Sequence, residues 1–133
     1  MLPKFRAWDK ATNKMRGCYG FNEMENEVYV SSVANDEFNG RLRTVHAVKC
    51  RPDEVVLMQS TFLKDKNGTD IFVGDIIKTD STQGVVLYDV LEGLYHINGD
   101  PLQYFVSETN SNNSQTEIQV IGNIYENPEL LED

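Results

Sequence analysis

The chain never gathers its apolar residues into a long run. Its apolar residues come in short runs rich in Val, Ile, Tyr and Phe, cut apart by clusters of Asn, Asp, Gly and Ser. β-Branched and aromatic side chains fit a pleated, half-buried surface, so these runs read as strands joined by turns. Phe5-Arg6-Ala7-Trp8 is the first, with Asp9 to Lys14 as its turn. Val28-Tyr29-Val30 and Thr44 to Val48 follow, separated by a polar loop over residues 31–43. Val55 to Gln59 is apolar but too short for a helix. Thr61 to Lys64 and Asp70 to Val73 then flank Asn67-Gly68, the strongest short hairpin signal when both residues take the positive φ of a type I′ turn. Further strands are expected at Ile76 to Lys78, Gly84 to Tyr88, Leu94 to Ile97, Leu102 to Val106 and Ile118 to Ile121. Brief turns at Asp89 to Gly93 and Asn98 to Pro101 separate most of these, and five such strands suggest a small barrel. Asn127-Pro128-Glu129 supplies a cap, a first helical residue and a favourable charge for one closing helical turn, with Leu130 or Leu131 to dock it. The expected architecture is mainly β, with a β-rich region over 1–59 and a barrel region over 60–133.

At 133 residues the chain is about the size of one domain, with enough surface to bury that it needs no covalent staples. It has two cysteines, Cys18 and Cys50, which excludes a disulfide scaffold and predicts free thiols. No stretch approaches the ~20 apolar residues of a membrane span, and the N-terminus has no signal-peptide core, so a cytoplasmic protein is expected. The net charge of −9 is uneven. Residues 1–51 carry nine Lys and Arg against six Asp and Glu, whereas residues 52–133 carry three against fifteen. The acidic portion is a poor match for a polyanion such as nucleic acid. Lys4, Arg6, Lys10, Lys14 and Arg16 could touch phosphate, although mixed signs of this kind are ordinary in a domain.

Several blocks taken together resemble the YopX family. Lys4-Phe5-Arg6-Ala7-Trp8-Asp9 with Met15 matches its opening. Met58-Gln59, Leu63-Lys64-Asp65-Lys66-Asn67-Gly68, Ile71 and Gly74-Asp75-Ile76 match its middle, and Gly122 to Leu131 matches its end. Ser60 stands where an aromatic is usual and Phe62 where glycine is usual, which speaks against a glycine-dependent backbone at 62. The resemblance implies a protein encoded by bacteriophages and prophages, acting inside the bacterial host, with a C-terminal part like an SH3-like barrel. It assigns no reaction, and it points to binding by analogy of fold alone.

The residues themselves offer no catalytic constellation. His46 and Cys50 would lie roughly 13 Å apart along a strand at ~3.3 Å per residue, too far for a nucleophile and its base. Cys18, His46, Cys50 and His96 lack metal-ligand spacing, so no metal or other cofactor is expected. Asp65 to Asp70 begins like a calcium loop but has Ile76 where the twelfth-position carboxylate belongs. Gly74-Asp75 precedes a strand rather than the helix of a phosphate cradle. Aromatic residues are the more telling class. Tyr88, Tyr95 and Tyr104 either fill a small core or line a groove for an extended peptide or stacked bases. The chain is therefore expected to be no enzyme but an interaction module, self-associating or engaging a host or phage protein. The alternative is a nucleic-acid-associated protein of phage replication or transcription, using the basic N-terminal residues.

Overall fold

The structure, a computed structural model, describes residues 4–32, 46–79, 82–102 and 118–131. The chain divides into two compact units, Met1–Gln59 and Ser60–Asp133. Both are built from antiparallel β-structure, with no α-helix among the described residues. No helix there is long and apolar enough to cross a membrane.

The N-terminal unit is a meander. Strands β1 (Phe5–Asp9), β2 (Lys14–Asn22), β3 (Glu27–Ser31) and β4 (Ala47–Cys50) are joined in sequence, and the first half of β5 (Val55–Lys64) pairs on the far side of β1. Register is set by alternation, because a one-residue slip would turn the apolar face to water. Ala7, Val28, Val30 and Val55 are buried together on one face, with Cys18 and Cys50 packed against them. Both thiols are free. The β1–β2 turn is an Asp9 turn: its Oδ1 accepts the N–H groups of Ala11 and Thr12 at 3.0 and 3.4 Å, and Asn13 takes a φ of 56°. Thr44 and Val45 lie outside the described residues, as does nearly all of the 31–43 segment, and β4 begins later than expected, at Ala47.

The C-terminal unit surrounds a second core of Ile71, Ile77, Val86, Ile97, Leu102 and Ile118, joined by Leu63, Tyr95 and Val120. Each fully buried aliphatic side chain contributes about 1.5–3 kcal/mol relative to exposure. Three short ladders enclose it. The second half of β5 pairs with β6 (Asp70–Phe72). β7 (Asp75–Lys78) lies between β8 (Gln83–Val85) and β12 (Gln119–Asn123), and β10 (Leu94–Ile97) lies between β9 (Leu87–Asp89) and β11 (Asp100–Pro101). The described strands do not close into a barrel. The expected strand Gly84 to Tyr88 is two strands broken at Val86. Its N–H donates to the Asp75 carbonyl and its C=O accepts from Gly74, both at 2.9 Å, so the chain crosses from one ladder to the next there.

Two expectations about β5 and its turn are corrected. Val55 to Gln59 and Thr61 to Lys64 are one strand, irregular between Ser60 and Lys64. Within that bulge Phe62 has a φ of 61°, so the backbone is left-handed at 62 even though the residue is phenylalanine. Side chains hold it there. Ser60 Oγ accepts the Phe62 N–H at 3.0 Å. Thr61 Oγ1 accepts the Leu63 N–H at 3.1 Å while donating to the Ile71 carbonyl at 2.7 Å. These bonds satisfy amides that the bulge removes from the ladder.

The Asn67-Gly68 turn is not type I′, since Gly68 has a positive φ, 82°, and Asn67 does not. The Gly68 N–H donates to the Asp65 carbonyl at 3.0 Å, giving a type I turn followed by a left-handed residue. The Asp65 carboxylate selects this form by accepting the Asn67 and Thr69 N–H groups at 2.9 and 2.8 Å. The type I′ signature appears instead at another Asn-Gly pair, Asn98 and Gly99, with φ of 51° and 86° between β10 and β11. Asp100 and Pro101, expected within a turn, form the short strand β11. Leu102 is buried, and the rest of the expected strand 102–106 lies outside the described residues.

Pro128–Leu131 forms a single 3-10 turn, as the closing motif predicts. Asn127, however, does not cap it. Its Oδ1 accepts the Asn123 N–H at 3.2 Å, and the turn is anchored where Gln83 Nε2 donates to the Leu130 carbonyl at 2.7 Å. Leu131 is exposed.

Candidate functional site

The β9–β10 hairpin departs furthest from what stability alone would select. Its cross-strand pairs are Leu87 with His96, Tyr88 with Tyr95 and Asp89 with Leu94, and partners directly opposite share a face. The turn is built by Asp89. Its carbonyl accepts the Gly93 N–H at 2.7 Å, and its Oδ1 accepts the Leu91 and Glu92 N–H groups at 2.9 and 3.3 Å. Such a turn is comfortable with polar residues at its crest, yet this one lifts Val90 and Leu91 to 80% and 94% exposure. Leu87 and Tyr88 are exposed beside them, at 58% and 47%. Single exposed apolar residues are ordinary, but here Val90 and Leu91 stand together at the crest, with Tyr88 exposed on one face of the hairpin and Leu87 on the other.

Tyr88 and Tyr95 meet edge to face, with ring centroids 5.1 Å apart and planes at 62°. Their environments differ. Tyr95 packs against the core of its unit, and its hydroxyl reaches the Ser60 carbonyl at 3.4 Å. Burial, then the neighbouring Tyr88, pushes the Tyr95 phenol above its ordinary pKa. Tyr95 thus serves as core and as backing for Tyr88, which offers its free side to solvent. Tyr104 lies outside the described residues. Reasoning from aromatic content alone missed Leu87, Val90 and Leu91. The available signal was the Val90-Leu91 pair at the centre of a segment otherwise read as a turn.

Of the basic N-terminal residues, Arg16 is committed internally. Its Nε donates to Asp9 Oδ2 at 3.0 Å, Nη1 to the Ser31 carbonyl at 3.2 Å and Nη2 to Thr12 Oγ1 at 3.4 Å. Lys10 Nζ reaches the Asp53 carbonyl at 3.0 Å. Burial raises the Asp9 pKa, but hydrogen bonds from the Thr12 side chain, Arg16 and the Ala11 and Thr12 amides outweigh it and hold the group below the ordinary value.

The residues that carry the family resemblance in the C-terminal unit mostly hold the backbone. Burial raises the Asp65 pKa, but bonds from the Val120, Thr69 and Asn67 amides and the Thr69 hydroxyl bring it below the ordinary value. Asp75 Oδ2 accepts the Phe72 N–H at 2.8 Å, and Asn123 Oδ1 accepts the Tyr125 and Glu126 amides at 3.0 and 2.9 Å. A Cβ on Gly122 would lie 2.6 Å from Asn127 Oδ1, so only glycine fits that close approach. These side chains are occupied with folding rather than chemistry.

A family model described as YopX protein matches residues 4–132, nearly the whole chain. Among solved structures, the crystal structure of protein EF1440 from Enterococcus faecalis is similar, with 28% sequence identity, a TM-score of 0.63 and 99% of each chain covered. No curated protein matches the chain.

Proposed function

The chain belongs to the YopX family, and from that premise we propose that it is a non-enzymatic protein-interaction module whose contact surface is the β9–β10 hairpin. The reading is carried by one observation: Val90 and Leu91, the most apolar residues of the turn, stand almost wholly in solvent with Leu87 and Tyr88 beside them. The C-terminal unit is read as an SH3-like fold that offers such a surface from one exposed hairpin. The setting is the cytoplasm of a bacterium carrying a phage or prophage, and the occupant is a host or phage protein, or a second copy of the chain. The inward commitment of Arg16 weighs against the nucleic-acid alternative, which depends on that residue together with Lys4, Arg6, Lys10 and Lys14.

The test compares tagged wild-type chain with Leu91→Asp in pulldowns from phage-infected cells, half of each sample treated with nuclease. Leu91 is so exposed that the substitution leaves the fold intact. A stoichiometric protein held by the wild type, resistant to nuclease and lost with Leu91→Asp, supports the reading. Light scattering of the same two chains shows whether the occupant is a second copy. Retention that disappears with nuclease and ignores the substitution would overturn it in favour of nucleic acid.

A further inference from the structure

We propose that Asp89, Glu92 and His96 form a binding site for a divalent transition-metal ion of the zinc class at the β9–β10 turn. Asp89 ends β9, Glu92 sits within the turn and His96 lies on β10, a spacing of Asp-x-x-Glu-x-x-x-His. One ligand atom from each residue falls within 4.8 Å of the others. His96 Nδ1 is 3.7 Å from Asp89 Oδ2, and Nε2 is 3.4 Å from Glu92 Oε2. Zinc binds imidazole nitrogen and carboxylate oxygen at about 2.0–2.2 Å, so two donors of one tetrahedral ion lie about 3.4 Å apart. An imidazole binds one ion through one nitrogen, so the 3.4 Å separation of Nε2 from Glu92 Oε2 is the pair that matches this value, and Asp89 joins the same ion by turning Oδ2 from the Nδ1 edge of the ring toward it.

The second observation concerns the imidazole itself. The His96 side chain is only 13% exposed, and its Nε2 is shut off from solvent with no hydrogen-bond partner among the described residues. Native proteins rarely leave a buried polar nitrogen in that state without a reason. Neither carboxylate contact is a hydrogen bond, and the one at Nε2 is close enough for a metal to bridge. Asp89 is also held in place for the role. Its Oδ1 is occupied by the Leu91 and Glu92 amides, which keeps the carboxylate beside the His96 ring and leaves Oδ2 as the oxygen that would reach the ion. One imidazole with two carboxylates favours zinc, manganese, iron, cobalt or nickel, and disfavours calcium and magnesium, which take oxygen alone. Three protein donors leave further coordination positions for water. Glu92, 59% exposed at its side chain, places them at the solvent side of the turn.

This inference does not depend on the hairpin's being a contact surface, and its test needs no partner. Metal-stripped full-length chain is titrated with zinc chloride and separately with calcium chloride by calorimetry, alongside His96→Gln and Glu92→Gln. Glu92 is exposed enough that its substitution cannot unfold the protein, and circular dichroism checks His96→Gln. The expected result is one saturable zinc site per chain, no calcium binding, at least about tenfold weaker zinc binding in Glu92→Gln and loss of the site in His96→Gln. Absence of a stoichiometric zinc site overturns the proposal. So does zinc binding that both substitutions leave unchanged, which would place the ion elsewhere, such as at the cysteines. Calcium binding as tight as zinc would overturn the assigned metal class.

Discussion

Replacing Phe62 separately by glycine and by alanine tests whether the left-handed backbone at that position is strained. Both substitutions remove the phenyl ring, which is 44% exposed, so the lost packing is nearly common to the pair. They differ in the Cβ. At a φ of 61° a residue with a Cβ costs about 1–2 kcal/mol more than glycine does. Against this, glycine in a strand carries an entropic cost of roughly 0.5–1 kcal/mol relative to alanine. The balance makes Phe62→Gly more stable than Phe62→Ala by about 0.5–1 kcal/mol. Leu57, earlier on the same strand and without a positive φ, is the control, and there alanine should win by about 0.5–1 kcal/mol. Urea unfolding followed by far-ultraviolet circular dichroism, which reports the strands of both units, gives the four stabilities, with unchanged m-values confirming a common denatured state. An inverted order at 62 relative to 57 is the predicted signature. If alanine is favoured at both positions, position 62 is not strained and Ser60 and Thr61 shape an ordinary bulge.

Asp65→Asn should cost about 2 kcal/mol in urea unfolding, because the amide keeps one acceptor oxygen where the carboxylate serves the Val120 N–H as well as the two turn amides. The Asp9 and Asp65 carboxyls have pKa values below the ordinary 3.8, so the stability they contribute is present above that value. It should be lost as pH falls through their folded values, giving an acid limb below about pH 3.8 that is shallower in Asp65→Asn when followed by circular dichroism. Gly122→Ala should destabilise by roughly 1–3 kcal/mol, since its Cβ displaces the Asn127 oxygen from the Asn123 amide. Truncating Asn127 in the same chain should then cost less than it does alone, as a double-mutant cycle would show. Burial raises both thiol pKa values, with Glu54 and Asp9 adding to the effect at Cys50. Iodoacetamide should therefore label Cys18 and Cys50 much more slowly near neutral pH in the folded chain than in urea, and equal rates would refute this.

Features that follow from local chemistry were legible in the sequence. The Phe5 strand and its Asp9 turn, the Val28 strand, the Asp70 and Ile76 strands and the closing 3-10 turn each have their determinants within a few residues. What could not be read is decided by partners distant in the chain. Asn-Gly occurs at two places among the described residues, and the dipeptide alone favours a type I′ turn at both. The Asp65 carboxylate, tied also to Val120 fifty-five residues away, converts the first into another form. The break at Val86 is invisible in an apolar run, because it is made by the Gly74 and Asp75 backbone. Phe62 shows the limit most sharply. Absence of glycine argues against a left-handed residue, yet a few hydrogen bonds from Ser60 and Thr61 can impose one on phenylalanine. The same reasoning applies to the site. Tyr88 and Tyr95 look equivalent in sequence and share a face, and only their places in the sheet, on edge strand β9 and central strand β10, separate surface from core. Asp89, Glu92 and His96 escaped notice because metal-ligand spacings are usually sought as paired cysteines or histidines. A tight hairpin instead folds a carboxylate seven positions away back onto an imidazole. In a chain of short strands and tight turns, the turn decides which side chains meet. The β9–β10 turn sets both the exposure of Val90 and Leu91 and the approach of the two carboxylates to His96.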